Sequence, residues 1–63
     1  MVVSMKVYEV IEQYKDYKFF IYRSSDEDCI FEGYNSSCKT WCLNLYVNYF
    51  YQLRNKTVVI FLY

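Results

Sequence analysis

The run TVVIFLY at residues 57–63 carries no charge and is apolar on both faces of any strand it forms: Val58, Ile60 and Leu62 point one way, Val59, Phe61 and Tyr63 the other. Such a strand is either central in its sheet or covered by something else. The chain has only 63 residues, and a domain of about that size hides no more than roughly 60% of the surface its unfolded form exposes. The demand for cover is high and the material to supply it is scarce, so help from a second chain, a metal or a disulfide is expected.

A second stretch, CKTWCLNLYVNYFYQL at residues 38–53, makes the same demand. It reads as a helix, with Asn35, Ser36 and Ser37 as capping residues and an end at Leu53 or Arg54. On a helical wheel Thr40, Asn44, Asn48 and Tyr51 form one polar stripe. Trp41, Leu45, Cys38, Tyr49, Cys42 and Leu53 make an apolar sector, and Tyr46, Phe50, Leu43 and Val47 continue it, interrupted only by Lys39 and Arg54. That arc is about twice the ~100° stripe that seats a helix on one sheet. A second copy of the chain is therefore expected to cover part of this helix, the final strand or both, with Leu43, Tyr46, Val47, Phe50 and Arg54 as the interface of a homodimer. The competing expectation is that the strands curl around the helix and hide both sectors within one subunit.

The remaining segments read as strands. Residues 3–11 alternate in a way that suits a strand, although Val7, Val10, Ile11 and Tyr14 also match helical spacing over residues 6–14; the Val, Ile and Tyr content favours the strand. A polar turn at Lys15-Asp16 leads to a second strand at 17–23. The run SSDEDC, with Asp26, Glu27 and Asp28, reads as a solvated turn, because a calcium loop needs more regularly spaced ligands and a central glycine. A third strand at 29–33 ends at the chain's one glycine, Gly33, expected to hold a backbone angle that other residues resist. Asn55-Lys56 supplies the turn before the last strand. The expected fold is a single α+β domain over residues 1–63, β-β-β-α-β, with a mostly antiparallel sheet of three or four strands packed on one helix. A right-handed crossover would set the final strand parallel to the third and beside the first.

Composition narrows the function. Apolar residues make up 56% of the chain and aromatics 24%, with no proline, which is the signature of a folding sequence. Seven basic and seven acidic residues balance to zero net charge, which argues against a basic footprint on phosphates and eases self-association. The apolar runs are far shorter than the roughly 20 residues of a spanning helix, and MVVSMKVYEV lacks a secretory apolar core, so a cytoplasmic, membrane-free protein is expected.

With no histidine and a single glycine, the commonest general base and the glycine-rich phosphate loops are both missing, so neither an enzyme nor a cofactor is expected. Cys29, Cys38 and Cys42 fall one ligand short of a closed structural zinc site. Reduced, packed thiols without metal are expected, and a metal-stabilised regulatory module is an alternative.

Nine tyrosines form the strongest compositional signal, since tyrosine gives large contact area at low entropic cost with a hydroxyl to spare. They point to a protein-binding module, with Tyr17, Tyr22 and Tyr34 as the residues that meet a larger protein. The alternative is a single-stranded nucleic-acid binder in which Tyr17, Phe19, Phe20 and Tyr22 stack on bases, flanked by Lys15, Lys18 and Arg23.

The segment CIFEGYNSSCKTW, of the form F-x-G-x-x-x-x-C-x-x-W, resembles the strand–glycine–cap–helix segment of very small proteins of phages and their bacterial hosts. The resemblance implies a phage or viral accessory protein that inhibits a host complex by stoichiometric binding, an anti-defence or anti-CRISPR-like inhibitor, and it transfers no functional residue.

Overall fold

The computed structural model describes residues 5–23, 28–34, 37 and 40–63. Strand β1 (Met5–Lys6) leads directly into helix α1 (Val7–Gln13), followed by β2 (Lys18–Arg23), β3 (Cys29–Tyr34), the one-turn helix α2 (Thr40–Leu43), β4 (Tyr46–Leu53) and β5 (Thr57–Leu62). The strands form one mixed sheet in the order β1-β4-β5-β2-β3. All neighbours are antiparallel except β2 and β5, which run parallel. The α+β class is as expected, but among the described residues the sheet has five strands and two short α-helices accompany it.

The apolar run at the end of the chain is the middle strand, which meets half of its demand for cover. Val58, Ile60 and Leu62 turn to one face, where they pack with Phe19 and Ile21 of β2, Val47 of β4, and Val7, Val10 and Ile11 of α1. Cys42 of α2 joins the same core. Both helices thus lie on a single face of the sheet.

Helix α1 corrects the strand expected at residues 3–11: where the two patterns compete, the helical spacing of Val7, Val10 and Ile11 wins because it puts all three onto the sheet. Its start is fixed by the Glu9 carboxylate, which accepts the Lys6 backbone N–H at 3.0 Å, and by the Val7 N–H, which donates to the Leu45 carbonyl at 3.0 Å. Residues 3 and 4 of that expected strand lie outside the described residues.

The long helix expected over residues 38–53 is replaced by α2 and the eight-residue strand β4. Tyrosine, valine and phenylalanine favour the pleated surface. The misleading period has a local cause: Val47 lies opposite Leu62, yet Tyr49 lies opposite Phe61, so Asn48 is an extra residue in a β-bulge. One inserted residue breaks the alternation of β4 and mimics helical spacing. The expected caps Asn35 and Ser36, with Cys38 and Lys39, lie outside the described residues.

Because β4 is a strand, no helical crossover precedes β5. Residues 54–56 form a three-residue hairpin loop, with Lys56 at a φ of 49° in the left-handed region. β5 therefore runs antiparallel to β4 and to β3, parallel to β2, and is not a neighbour of β1. Gly33 does hold the unusual angle, with φ at 150°, and a side chain there would meet the ring of Phe31 at 3.5 Å.

Two outcomes follow. Ile60→Ala, at the centre of the core, should lower unfolding free energy by about 3 kcal/mol, against a total on the order of 3–9 kcal/mol for a chain this size; urea denaturation measures it. Lys56→Gly should raise stability by about 0.5–1 kcal/mol, because glycine takes the left-handed angle without the penalty lysine bears; a lower urea midpoint would contradict this account of the hairpin.

Candidate interaction surface

Alternation along each strand sends the remaining side chains to the face opposite the helices, and the strand registers arrange them in three rows of four. The first row reads Tyr34, Lys18, Thr57, Leu53 from β3 to β4. The second reads Glu32, Phe20, Val59, Tyr51, and the third Cys29, Tyr22, Phe61, Tyr49. Lys18 and Glu32 are the two charged members, and they face each other at 3.5 Å.

Phe61 is the hub of this face. Its ring stacks against Tyr22 at 5.4 Å between centroids and Tyr49 at 4.7 Å, with interplanar angles of 21° and 18°, and Tyr51 lies 6.1 Å away at 26°. Since β2 and β4 flank β5, the row Tyr22–Phe61–Tyr49 crosses three strands with near-parallel rings at the strand spacing. The two faces of the Phe61 ring are thereby taken by its neighbours.

This stacking covers the face only in part. Tyr34 is 55% exposed, Tyr49 53%, Leu53 46% and Tyr51 45%; Phe20, Tyr22 and Phe61 are half-buried. Among the described residues no helix or strand packs over this side. An open apolar sheet face of this kind is a candidate interaction surface.

The anticipated site residues separate between the two sides. Tyr22 and Tyr34 belong to the open face. Tyr17 lies on the helix side, its ring edge-on to Tyr14 at 5.1 Å and its hydroxyl accepting from Gln52 Nε2 at 3.0 Å. The expected dimer residues do not form one helical face, because the helix that would align them does not exist. Val47 is core; Leu43 and Phe50 pack against the core from α2 and β4, with Phe50 6.1 Å from Tyr14; Tyr46 is exposed beside Lys6, and Arg54 lies exposed in the hairpin loop. The sequence already marked Val59 and Phe61 as a second face needing cover, but the helical reading hid that Tyr49, Tyr51 and Leu53 of a neighbouring strand share that face, where Val59 itself is buried at 6% exposure. Their signal was the second face of TVVIFLY, which needs partners of its own kind on neighbouring strands.

The proposed base-stacking group divides in the same way: Phe19 is buried in the core, and only Phe20 and Tyr22 reach the open face. The cations beside them are engaged, Lys18 with Glu32 and with the Phe20 ring at 5.2 Å, and Arg23 with Asp28 at 3.5 Å. Cys29 stands on the edge strand with its thiol 3.3 Å from the Phe31 carbonyl, Cys42 is in the core, and Cys38 lies outside the described residues. Among the described residues no cluster of three Cys, Asp or Glu side chains is placed to hold a metal ion, and no helix is long and apolar enough to cross a membrane.

No family model, curated protein or solved structure matches this chain.

The ring row carries a measurable share of stability. Phe61→Leu keeps an apolar side chain but removes the stacking on Tyr22 and Tyr49, each pair worth about 0.5–1.5 kcal/mol, so unfolding free energy should fall by about 1–3 kcal/mol beyond the change in buried area. A double-mutant cycle with Tyr49→Leu checks it: coupling indistinguishable from zero would show that the rings only share space.

Proposed function

We propose that this chain is a non-enzymatic, cytoplasmic protein-binding module, a stoichiometric inhibitor or regulator that works by laying its open sheet face on another protein. The observation that carries this reading is the grid itself, in which eight of twelve positions are aromatic or aliphatic and the charged pair neutralises itself. Protein interfaces favour this composition, with an apolar centre and tyrosine at its margin. The absence of histidine from the sequence supports binding over catalysis. The accessory-inhibitor role implied by the CIFEGYNSSCKTW segment fits the same mode of action, since an inhibitor of this kind needs only a surface.

Single-stranded nucleic acid is the second reading, favoured by aromatic side chains on an open sheet. Ring geometry weighs against it. A base stacks on an exposed ring face, and here the faces of Phe61 are occupied by Tyr22 and Tyr49. The zero net charge supplies no counterion-release term to compensate.

The two readings separate in one experiment. Tyr49→Glu with Tyr51→Glu places two carboxylates on the open face and none in the core. Affinity capture from the native cell should retain a protein at stoichiometric level with the wild-type chain and lose it with the double variant, while a single-stranded oligonucleotide at low salt binds neither. Equal retention by both chains would remove the open face from the function, and salt-sensitive oligonucleotide binding abolished by the variant would establish the second reading.

A further inference from the structure

We infer that the open face is occupied by a second copy of this chain, seated sheet to sheet over Val59 and Phe61, so that two subunits form a helix–sheet–sheet–helix dimer. The inference rests on the reading of this face as a protein-docking surface and specifies the partner.

Area is the first argument. With about 200 Å² for a full aromatic side chain, the exposed fractions of Tyr34, Tyr49, Tyr51 and Leu53, together with the half-buried rings of Phe20, Tyr22 and Phe61, expose on the order of 500 Å². Two such faces together bury roughly 1,000 Å², the lower bound for a specific interface. A single face laid on a helix or a flat surface would engage only part of its three rows. An interface at this lower bound is of the weak, transient class, and the midpoint is expected on the order of 10–100 µM, well short of the nanomolar range of larger, stable complexes.

Shape is the second. Every sheet twists with the same hand, and two sheets of equal twist stack face to face with their strands within about 30° of each other, roughly 10 Å apart. A copy of the same sheet has the matching twist by construction. The large rings of row three beside the smaller Val59 and Thr57 of β5 give a relief that a second such surface can interleave.

Charge is the third. A partner must bring no unpaired charge onto rows two and three, and a second copy meets that condition because its Lys18 and Glu32 are bound to each other at 3.5 Å on the rim beside β3. With zero net charge on each subunit, no long-range repulsion opposes association.

The test is the mass of the full-length chain in solution by sedimentation equilibrium between about 5 and 500 µM, a span that brackets the expected midpoint by mass action. Wild-type protein should pass from 7.8 kDa to twice that value. Tyr49→Glu with Tyr51→Glu should shift the midpoint upward at least tenfold while the far-ultraviolet circular dichroism stays unchanged. Trp41→Ser, a change at an exposed residue of α2 on the opposite side, should leave the midpoint where it was.

Should the double variant fail to fold, isotope-filtered nuclear Overhauser spectra of a mixed labelled and unlabelled wild-type sample decide the matter. Contacts between subunits should involve Tyr49, Tyr51, Leu53 and Phe61. A chain monomeric at the highest concentration, a dimer undisturbed in the folded double variant, or intersubunit contacts confined to Trp41, Tyr8 or Tyr46 would each overturn the inference. A monomeric wild type whose cellular partner is nonetheless lost in the double variant would refute the second copy and leave the docking reading standing. A wild-type dimer whose variant still captures that partner would do the reverse.

Discussion

The structure depends on a single strand having to be buried twice. β5 sits at the middle of the sheet with Val58, Ile60 and Leu62 on one side and Val59 and Phe61 on the other. Apolar surface is stabilised by leaving water at about 25 cal/mol per Å², so each side calls for cover. Seven residues of α1 and one turn of α2 are nearly all the helix available, and both are committed to the first side. Cover for the second side comes from within the sheet, by rings on β2 and β4 leaning against Phe61. Rings sharing faces at the strand spacing remove a good part of one another's area from water without any additional layer.

The same constraint explains why some of this was legible in the sequence and some was not. The two-sided character of TVVIFLY is explicit in its residues and does lead to a central strand. Gly33 and the turn at Asn55-Lys56 are legible because their backbone demands are local. The partner strand β4 was not. Its one extra residue, Asn48, shifts the phase of YVNYFYQL so that apolar residues recur at intervals that also fit a helix, and a bulge is visible only against the neighbouring strand that defines it. The choice at residues 7–13 was similarly undecidable from propensity, since Val and Ile favour strands in general, but on this segment they fall on the one stripe that faces Phe19 and Ile60.

For the candidate site the consequence is a relocation of the surplus. A surplus of apolar surface was legible in composition alone, yet a helical reading put it on Leu43, Val47 and Phe50, which α2 and β4 turn into or against the core. The residues left outside are those of opposite parity, Tyr49, Tyr51 and Leu53. Of the tyrosines singled out by composition, Tyr22 and Tyr34 share their face, while Tyr17 falls on the other because it has the parity of Phe19. A change of one residue in strand phase is enough to exchange an interface for a core.

The distribution of hydroxyl groups over the open face then separates incidental exposure from a built surface. If the aromatics were there only to fill space, nothing would fix where the phenols stand relative to the phenyls. At the middle of the grid Val59 and Phe61 of β5 and Phe20 of β2 carry no polar side-chain atom, while Thr57 of β5 and Tyr22 of β2 bring hydroxyls beside them. Tyr34 stands on the edge strand β3, Tyr49 and Tyr51 on β4, and the Lys18–Glu32 pair bridges β2 and β3. An apolar centre bordered largely by hydroxyl-bearing side chains and one ion pair is a composition that protein interfaces share. It serves the unbound chain as well, because phenol rims hold water over a patch that bare phenylalanine would leave prone to collapse on any neighbour. A surface that must be tolerable in water and still favourable to cover has few other chemical solutions, which is the physical reason a chain of this size carries so much tyrosine.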